Sequence, residues 1–528
     1  MKLGKETTKT WQQYEAGKDY KRRIRLYDRV RTNGKFLIGE QWQNADGTDL
    51  PKPVFNVIKR IVDYLICTMI SSRVSIIYTD EDLPFIDDTE KKKIIKDGID
   101  LLTKNASYRW EKCKMDKILK DVLYDAAISG DGAVYSYYDP GVRSSQAYSG
   151  DIVTKRVDST NIFASDMNTS DIQGQNYIII SGRESVYSLK CEAVKNGMSA
   201  TDAHRLIVSD SENDNEYGSP ELSGDDEEKA TYLIKFWRED GYVCFEKSTK
   251  SCVIRRQRTK MRRYPIAYFN WSSTADGFHG TPPVTALIQN QKYINRGFAM
   301  AMKHMTDTAF SKVIYDKSKI PEWSNRIGEA VAVVGATNVS DAVSVIGTGE
   351  MQEGYLELLN TVISLTKEVM GATESALGSV DPTNTSAILA LQEASKVPLI
   401  GLRDNLISFA EDIACVWADM MCAYYPKERL IPYFDRDEGC VGRVNFDVLR
   451  DTLIEAKVEI SDPARYSVVN NRAVLDKLLE GGYITVDEYI ERLPDGMIED
   501  REKILKRLRT SGFSDGKKED EIVVSKEE

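Results

Sequence analysis

The sequence predicts an α+β fold, mainly helical, built around two amphipathic helices, residues 283–310 and 350–371, that flank a small strand-rich insertion. Three observations predict it. Val284, Leu287, Ile288, Ile294, Phe298, Met302, Met305 and Ala309 recur at helical spacing in the first segment, and Tyr355, Leu358, Leu359, Val362, Ile363, Val369 and Met370 in the second. Between them the pattern switches to short strand-forming runs, Lys312–Asp316, Ala330–Val334 and Val343–Ile346, punctuated by Pro321, Gly335 and the Gly347-Thr348-Gly349 turn. Upstream, residues 133–275 carry mostly strand signals interrupted by short helices, the mixture of an α+β region.

Taken in order, residues 1–19 read as a flexible N-terminus and 18–32 as a charged helix, followed by a loop with Gly39, Trp42, Gly47 and the Pro51-Lys52-Pro53 turn signal. From Asn56, a natural N-cap, Val57, Ile58, Ile61, Val62, Leu65, Ile66, Met69 and Ile70 mark one helical stripe, and Val74–Tyr78 begins a strand. Two helices fill 88–104 and 107–129, the second closing at Gly130-Asp131-Gly132. Strands are expected at Ala133–Tyr138, Ile152–Val157, Tyr177–Gly182, Thr231–Arg238, Tyr242–Lys247, Cys252–Gln257 and Ile266–Trp271, with helices at 185–196 and 199–207. Residues 209–229 are densely acidic, a solvated loop, and the basic stretch Arg255 to Arg263 is either a phosphate-contacting hairpin tip or a solvated sheet edge balancing nearby acids.

Thr281 as N-cap and Pro282 as first helical residue open the first long helix, on which Asn290, Gln291, Asn295 and Arg296 lie off the apolar stripe. Gly371 ends the second, 372–384 is a loop of small and polar residues, and Asn384 or Thr385 caps a helix running to about Tyr424 with a kink near Pro398. A helix at 467–480, a capping box at Thr485–Glu488 opening a helix that stops at Pro494, and a charged helix over 499–510 complete the chain before a frayed 511–528.

At 528 residues the chain fits three to four domain-sized pieces or one large interleaved architecture. No apolar run approaches the roughly 18 residues of a membrane span, and Met1–Trp11 lacks the apolar core of a signal, so a cytoplasmic protein without a membrane partner is expected. Eight scattered cysteines show no metal or redox spacing, and His204, His279 and His304 stand apart from one another, so neither a metal nor a cofactor is expected. A net charge of −11 speaks against tight non-specific hold on nucleic acid and suits a surface over which DNA slides. Phosphate-binding Gly-x4-Gly-Lys-Ser/Thr, His-Glu-x-x-His and Gly-x-Ser-x-Gly strings are all absent, which leaves no catalytic residues to name.

Five strings in order resemble the portal proteins of tailed bacteriophages: Gly39-Glu40-Gln41-Trp42, Pro51-Lys52-Pro53-Val54-Phe55-Asn56-Val57-Ile58, Ile128-Ser129-Gly130-Asp131-Gly132-Ala133-Val134, Gln289-Asn290-Gln291-Lys292-Tyr293-Ile294-Asn295 and Thr385-Ser386-Ala387-Ile388-Leu389-Ala390-Leu391. The resemblance spans residues 20–510. It implies a homo-oligomeric ring, usually of twelve subunits, assembled in the host cytoplasm at one capsid vertex of the virion. Double-stranded DNA passes through such a ring, and the terminase large subunit, head-tail adaptor, major capsid and scaffold proteins are its partners. It also implies a wing over 20–280 and 385–462, stem helices at 281–310 and 350–371 with polar faces toward DNA, a clip at 311–349, a tunnel loop at 372–384 and a crown at 463–510. Thr373, Glu374, Ser375, Ser379, Asp381 and Asn384 would then face DNA from a loop that holds no lysine or arginine. Lys317, Lys319, Glu322, Trp323 and Arg326 form the candidate docking patch, with Trp323 either an anchor for a partner or packed within the insertion or against a neighbour. Another virion connector ring, or a packaging ATPase or nuclease, remains the alternative.

Overall fold

The computed structural model describes residues 4–42, 50–71, 73–80, 85–143, 149–210, 228–275, 277–308, 312–324, 331–335, 338, 342–346, 353–372, 397–435, 438–461, 475–493 and 501–510. The chain divides into two units, one of residues 1–70 and 74–459, the other of 71–73 and 460–528.

The larger unit opens with α1 (Gly4–Arg23), α2 (Leu26–Ile38) and α3 (Val57–Ile70). The expected flexible start is corrected here, because residues from Gly4 onward are helical. Trp11 and Tyr14 bury their rings in a cluster with Phe163, Ile179 and Leu233, an anchorage that a charged, weakly patterned segment does not advertise. Arg25, at φ 54°, breaks the single helix expected over 18–32 into two. In α3 six residues of the expected stripe, Ile58, Ile61, Val62, Leu65, Ile66 and Met69, are buried while Val57 and Ile70 at its ends are half-buried, and Asn56 Oδ1 accepts from the Lys59 amide at 3.0 Å as the N-cap.

After β1 (Arg73–Asp80) come α4 (Thr89–Lys112) and α5 (Met115–Ser129). Their break falls at Lys114, φ 52°, rather than near residue 105, and Asn105 is helical and buried. Gly130, φ 99°, closes α5 and lies so near Gly280 that a Cβ there would sit 2.2 Å from the Gly280 carbonyl oxygen.

Strands β2 (Asp131–Arg143), β3 (Ser149–Val157) and β9 (Ile266–Asn270) form an antiparallel sheet in the order β3-β2-β9. A second antiparallel sheet runs β4 (Ile162–Ala164), β5 (Tyr177–Ser185), β6 (Lys229–Glu239), β7 (Tyr242–Ser248) and β8 (Val253–Arg258). Helices α6 (Val186–Lys195) and α7 (Ala200–Leu206) lie between β5 and β6 in the chain and share a core with Ala230, Cys252 and Ile254. The basic stretch lies along the β8 edge and the turn after it: Arg258 pairs with Asp240 at 3.3 Å, Arg263 with Glu455 at 2.6 Å, and the Arg262 and Arg263 amides donate to Asp419. These local acids match the solvated-edge alternative.

The long helices are α8 (Pro283–Thr308) and α9 (Glu353–Val369). Between them β10 (Lys312–Tyr315) pairs antiparallel with β11 (Val343–Ile346), in the register Lys312↔Ile346. The third expected strand is not formed among the described residues: 331–334 carry no strand assignment, and the Val334 amide donates to the Lys319 carbonyl. Pro398 sits in a short 3₁₀ turn, Val397–Leu399, directly before α10 (Ile400–Tyr424), and the residues that would precede the expected kink, 385–396, lie outside the described ones. The expected helix start near Asn384 lies outside the described residues. Helix α10 is the core's spine: Trp417 is fully buried with its indole N–H on Thr154 at 2.9 Å, and Phe409 meets Phe269 edge-on. The hairpin β12 (Glu428–Asp435) and β13 (Glu438–Asn445), the short helix α11 (Phe446–Leu449) and β14 (Ile454–Ser461), which pairs with β1, complete this unit.

In the smaller unit residues 475–480 are helical, and α12 (Val486–Arg492) opens on the expected capping box, with Thr485 and Glu488 each accepting from the other's amide. Helix α13 (Arg501–Thr510) is the charged helix expected there.

Candidate functional site

The long pair α8–α9 is assembled from three fastenings. The first lies at the base of α8. Asp131, fully buried at the end of α5, accepts from the Gly280 amide at 2.7 Å and from Asn270 Nδ2 at 2.9 Å, and meets His279 Nδ1 at 2.6 Å. Asn33 of α2 adds a bridge, donating to the Ile128 carbonyl and exchanging hydrogen bonds with Thr285. The helix consequently begins at Pro283, one residue later than Pro282.

The second fastening is a buried amide relay. Gln291 Oε1 accepts from the Val57 and Ile58 amides, at 3.0 and 3.3 Å, so a side chain of α8 serves two N–H groups in the first turn of α3, of which the Val57 amide also donates to the Phe55 carbonyl. Its Nε2 donates to the Phe55 carbonyl and to Asn295 Oδ1, Asn295 donates to Gln41 at 2.6 Å, and Gln41 donates to the Phe36 carbonyl. Gln291 is 1% and Asn295 3% exposed. Neither belongs to a free polar face, which corrects their expected direction toward DNA. Their buried carboxamides are tolerated because each has partners.

The third joins α8 to α9. Gly297 takes the Leu359 side chain so closely that a Cβ would stand 2.3 Å from Leu359 Cδ2, Tyr355 OH donates to the Gly297 carbonyl at 3.0 Å, and Asn290 donates to Thr366 at 3.1 Å. Contacts 290 to 366 and 297 to 359 run in opposite senses, so the helices are antiparallel.

Beyond Gly297 the chain covers less of α8, and along α9 apolar side chains are exposed both before and after the Leu359 contact. Val284, Leu287, Ile288 and Ile294 of the α8 stripe are buried, whereas Met300, Met302 and Met305 are exposed, Met305 by 65%. On α9, Leu359 is buried while Leu356, Leu358, Leu365 and Val369 are exposed, Val369 by 77%. In the insertion, Trp323 is half-buried and stacks on Tyr315 of β10 with ring centroids 5.2 Å apart. Lys317 and Glu322 are exposed, and Lys319 pairs with Asp316, whose carboxyl is held below its ordinary value first by the Ser318 hydroxyl and amide. Arg326 and the loop residues Thr373, Glu374, Ser375, Ser379, Asp381 and Asn384 lie outside the described residues.

Sequence reasoning missed the fastenings as such, and it missed Lys21. That fully buried side chain gives its three N–H bonds to the Ser159, Thr160 and Ile162 carbonyls, and burial lowers its pKa to about 7 against the opposing pull of Asp158 and Asp131. The signal for the fastenings was nevertheless present. Gln41, Phe55 to Ile58, Ile128 with Asp131, and Gln291 with Asn295 come from four of the five strings quoted above, and hydrogen bonds tie the first three to the fourth, which lies on α8, or to the residues that open that helix.

No helix among the described residues is long and apolar enough to cross a membrane, and no three His, Cys, Asp or Glu among them are grouped to hold a metal. No curated protein matches the chain. The model of the Phage P22-like portal protein family matches residues 11–462, most of the 528-residue chain and all three fastenings. A structural role rather than an enzymatic one follows from that family, and the chain belongs to the P22-like phage portal proteins.

Proposed function

We propose that this portal protein forms a ring, of twelve subunits, at one capsid vertex, and that the ring is the conduit for double-stranded DNA entering and leaving the head. Helices α8 and α9 are the stem. The observation that carries this is their uncovered apolar surface: Met300, Met302 and Met305 on one, Leu356, Leu358, Leu365 and Val369 on the other, large side chains that single soluble subunits seldom leave exposed together. Neighbouring subunits cover this surface in the ring. The insertion 311–349 is the clip, where Trp323 with Lys317, Lys319, Glu322 and Arg326 meets the terminase large subunit during packaging and the head-tail adaptor afterwards. Residues 372–384 are the tunnel loop, whose Thr373, Glu374, Ser375, Ser379, Asp381 and Asn384 offer DNA hydroxyls and carboxylates without a lysine or arginine to hold it. Residues 463–510 form the crown, and the two sheets with α10 form the wing that meets the major capsid and scaffold proteins.

Electron microscopy of the purified protein tests the proposal: rings with a central hole are expected, and a monodisperse monomer in the presence of scaffold protein sinks it. Trp323→Ala is expected to leave rings intact and weaken terminase or adaptor binding.

A further inference from the structure

The five-stranded sheet ends on β8, and no further strand pairs with it among the described residues. An outermost strand keeps a row of N–H and C=O groups turned away from its neighbour, where another extended chain can pair with them. The Thr259 amide donates to the Val243 carbonyl at 2.9 Å, and Gln257 lies opposite Phe245 with Arg255 opposite Lys247. Those positions face β7, and the alternate ones, Arg258 among them, turn their backbone groups outward. Residues 255–258 are all exposed.

This edge is basic on both faces of the sheet. Cations on an edge strand discourage pairing with copies of the same sheet, but not with a chain of opposite charge. Here each guanidinium is laid back on an aromatic ring of β6 or β7: Arg255 is 5.1 Å from the Phe245 centroid, Arg256 5.2 Å from that of Trp237, and Arg258 5.4 Å from that of Tyr242. The three therefore flank the backbone edge. Past Arg258 the edge opens into a cleft of about 460 Å³ between the turn after β8 and the C-terminal end of α10. Arg450 is spent there on the Cys422 and Tyr425 carbonyls and on Asp447, and Asp419 on the Arg262 and Arg263 amides. Lys260 makes no ion pair among the described residues, and the Arg262 guanidinium donates to the Arg450 carbonyl at 3.3 Å. Arg255, Arg256, Arg258, Lys260 and Arg262 thus stand against Asp240 and Glu246 beside the strand and Asp451 on the far wall of the cleft.

We infer that the β8 edge takes an extended acidic segment of a partner protein as a sixth strand of this sheet. The segment's backbone pairs with the outward groups of β8. Its carboxylates, alternating between the two faces, meet Arg255 on one and Arg256 and Arg258 on the other, and its end enters the cleft beside Lys260 and Arg262. A segment of about six residues, ~20 Å long, matches the length of β8. Phosphates of nucleic acid would supply the charge, but their backbone has no amide to complete the ladder. This surface is separate from the stem helices, so a result against it leaves the proposed ring standing, and the reverse.

Fluorescence anisotropy of a fluorescein-labelled peptide of alternating glutamate and threonine, titrated with the full-length protein in about 0.1 M salt, tests this. Saturable binding is expected. Methylating every amide nitrogen of the peptide keeps its charge and removes its ladder donors, and should weaken binding at least about tenfold. Arg255→Gln with Arg258→Gln should weaken it about tenfold as well, whereas the same charge removed from α6 by Lys190→Gln with Lys195→Gln should change it less than about twofold. No saturable binding to the wild type overturns the proposal, and equal affinity of the methylated peptide overturns strand addition. Displacement by a DNA duplex at lower concentration than by unlabelled peptide overturns it in favour of phosphate. Binding that emerges only after the acids of residues 212–227 are replaced by their amides assigns the edge to the chain's own acidic run and overturns the external partner. The methylated-peptide comparison uses the wild type and decides even where a variant does not fold.

Discussion

The two halves of the long helix α8 have unlike surroundings. From Pro283 to Ala299 its inward side chains are matched within the chain, hydrophobic residues by α3, α5 and α9, and carboxamides by named backbone and side-chain partners. From Met300 to Met305 three methionines are exposed, and the outer face of α9 repeats the pattern with leucines and valine. The first half is complete in one protomer and answers to folding. The second is incomplete in one protomer and, in the proposed ring, answers to assembly. Mutations in the two halves should therefore separate stability from oligomerisation.

The largest effect is expected at Gln291. Gln291→Leu strands the Ile58 amide and Asn295 Oδ1 in a buried site, takes one of two acceptors from the Val57 amide, and should cost on the order of 3–5 kcal/mol in urea unfolding of the protomer; a loss below 1 kcal/mol would contradict the relay. Next is Asp151→Asn, read against pH. Although burial alone would raise it, Arg109 and the hydrogen bonds from Lys112 and Tyr425 hold the Asp151 carboxyl well below its usual range. A carboxylate depressed in the folded state stabilises above its unfolded pKa and loses that contribution as pH falls toward the folded value. The wild type should thus exceed the variant by about 2 kcal/mol at neutral pH, with the gap closing below about pH 4; a pH-independent gap would refute the charge argument.

A smaller cost, about 1–3 kcal/mol, is expected from Gly297→Ala, whose new methyl meets Leu359. Pairing it with Leu359→Ala should recover part of the loss in a double-mutant cycle, and strict additivity would show that the close approach is not the cause. Least of all should Met305→Gln or Leu365→Gln disturb protomer unfolding, within about 0.5 kcal/mol, while reducing ring formation measured by sedimentation. Unchanged assembly with both replaced would separate these residues from the subunit interface.

Much of the fold was legible because its elements are locally coded. The stripe of α3 with its Asn56 cap, most strands of the two sheets, the two long helices and the Thr485 capping box follow from spacing and end chemistry. The β12–β13 hairpin was not read, since Pro432, Gly439 and Gly442 interrupt its alternation and its pairing is long enough to tolerate them. Helix breaks were misplaced for a related reason. Arg25 and Lys114 take left-handed backbone conformations that no glycine or proline announces, and the packing of the flanking helices imposes them. Of the residues expected to dock a partner, Trp323 was open between an anchor and a packed position, and its stacking on Tyr315 was not legible because the two lie on different segments of the insertion.

By itself the sequence determined the periodic elements, the absence of nucleotide- and metal-binding motifs, and the ordered strings that identify the family, all of which depend on residues near one another in the chain. Only the tertiary structure decided what the polar residues do. Gln291 and Asn295 sit off the apolar stripe of α8, as a water-facing residue would, and Lys21 belongs to a charged helix. Each is buried because partners more than a hundred residues away, the α3 amides and Gln41 for the relay and the Ser159 to Ile162 carbonyls for the lysine, meet every hydrogen bond that burial removes. Periodicity counts apolar side chains, but the cost of burying a polar one is set by partners that folding alone brings within reach.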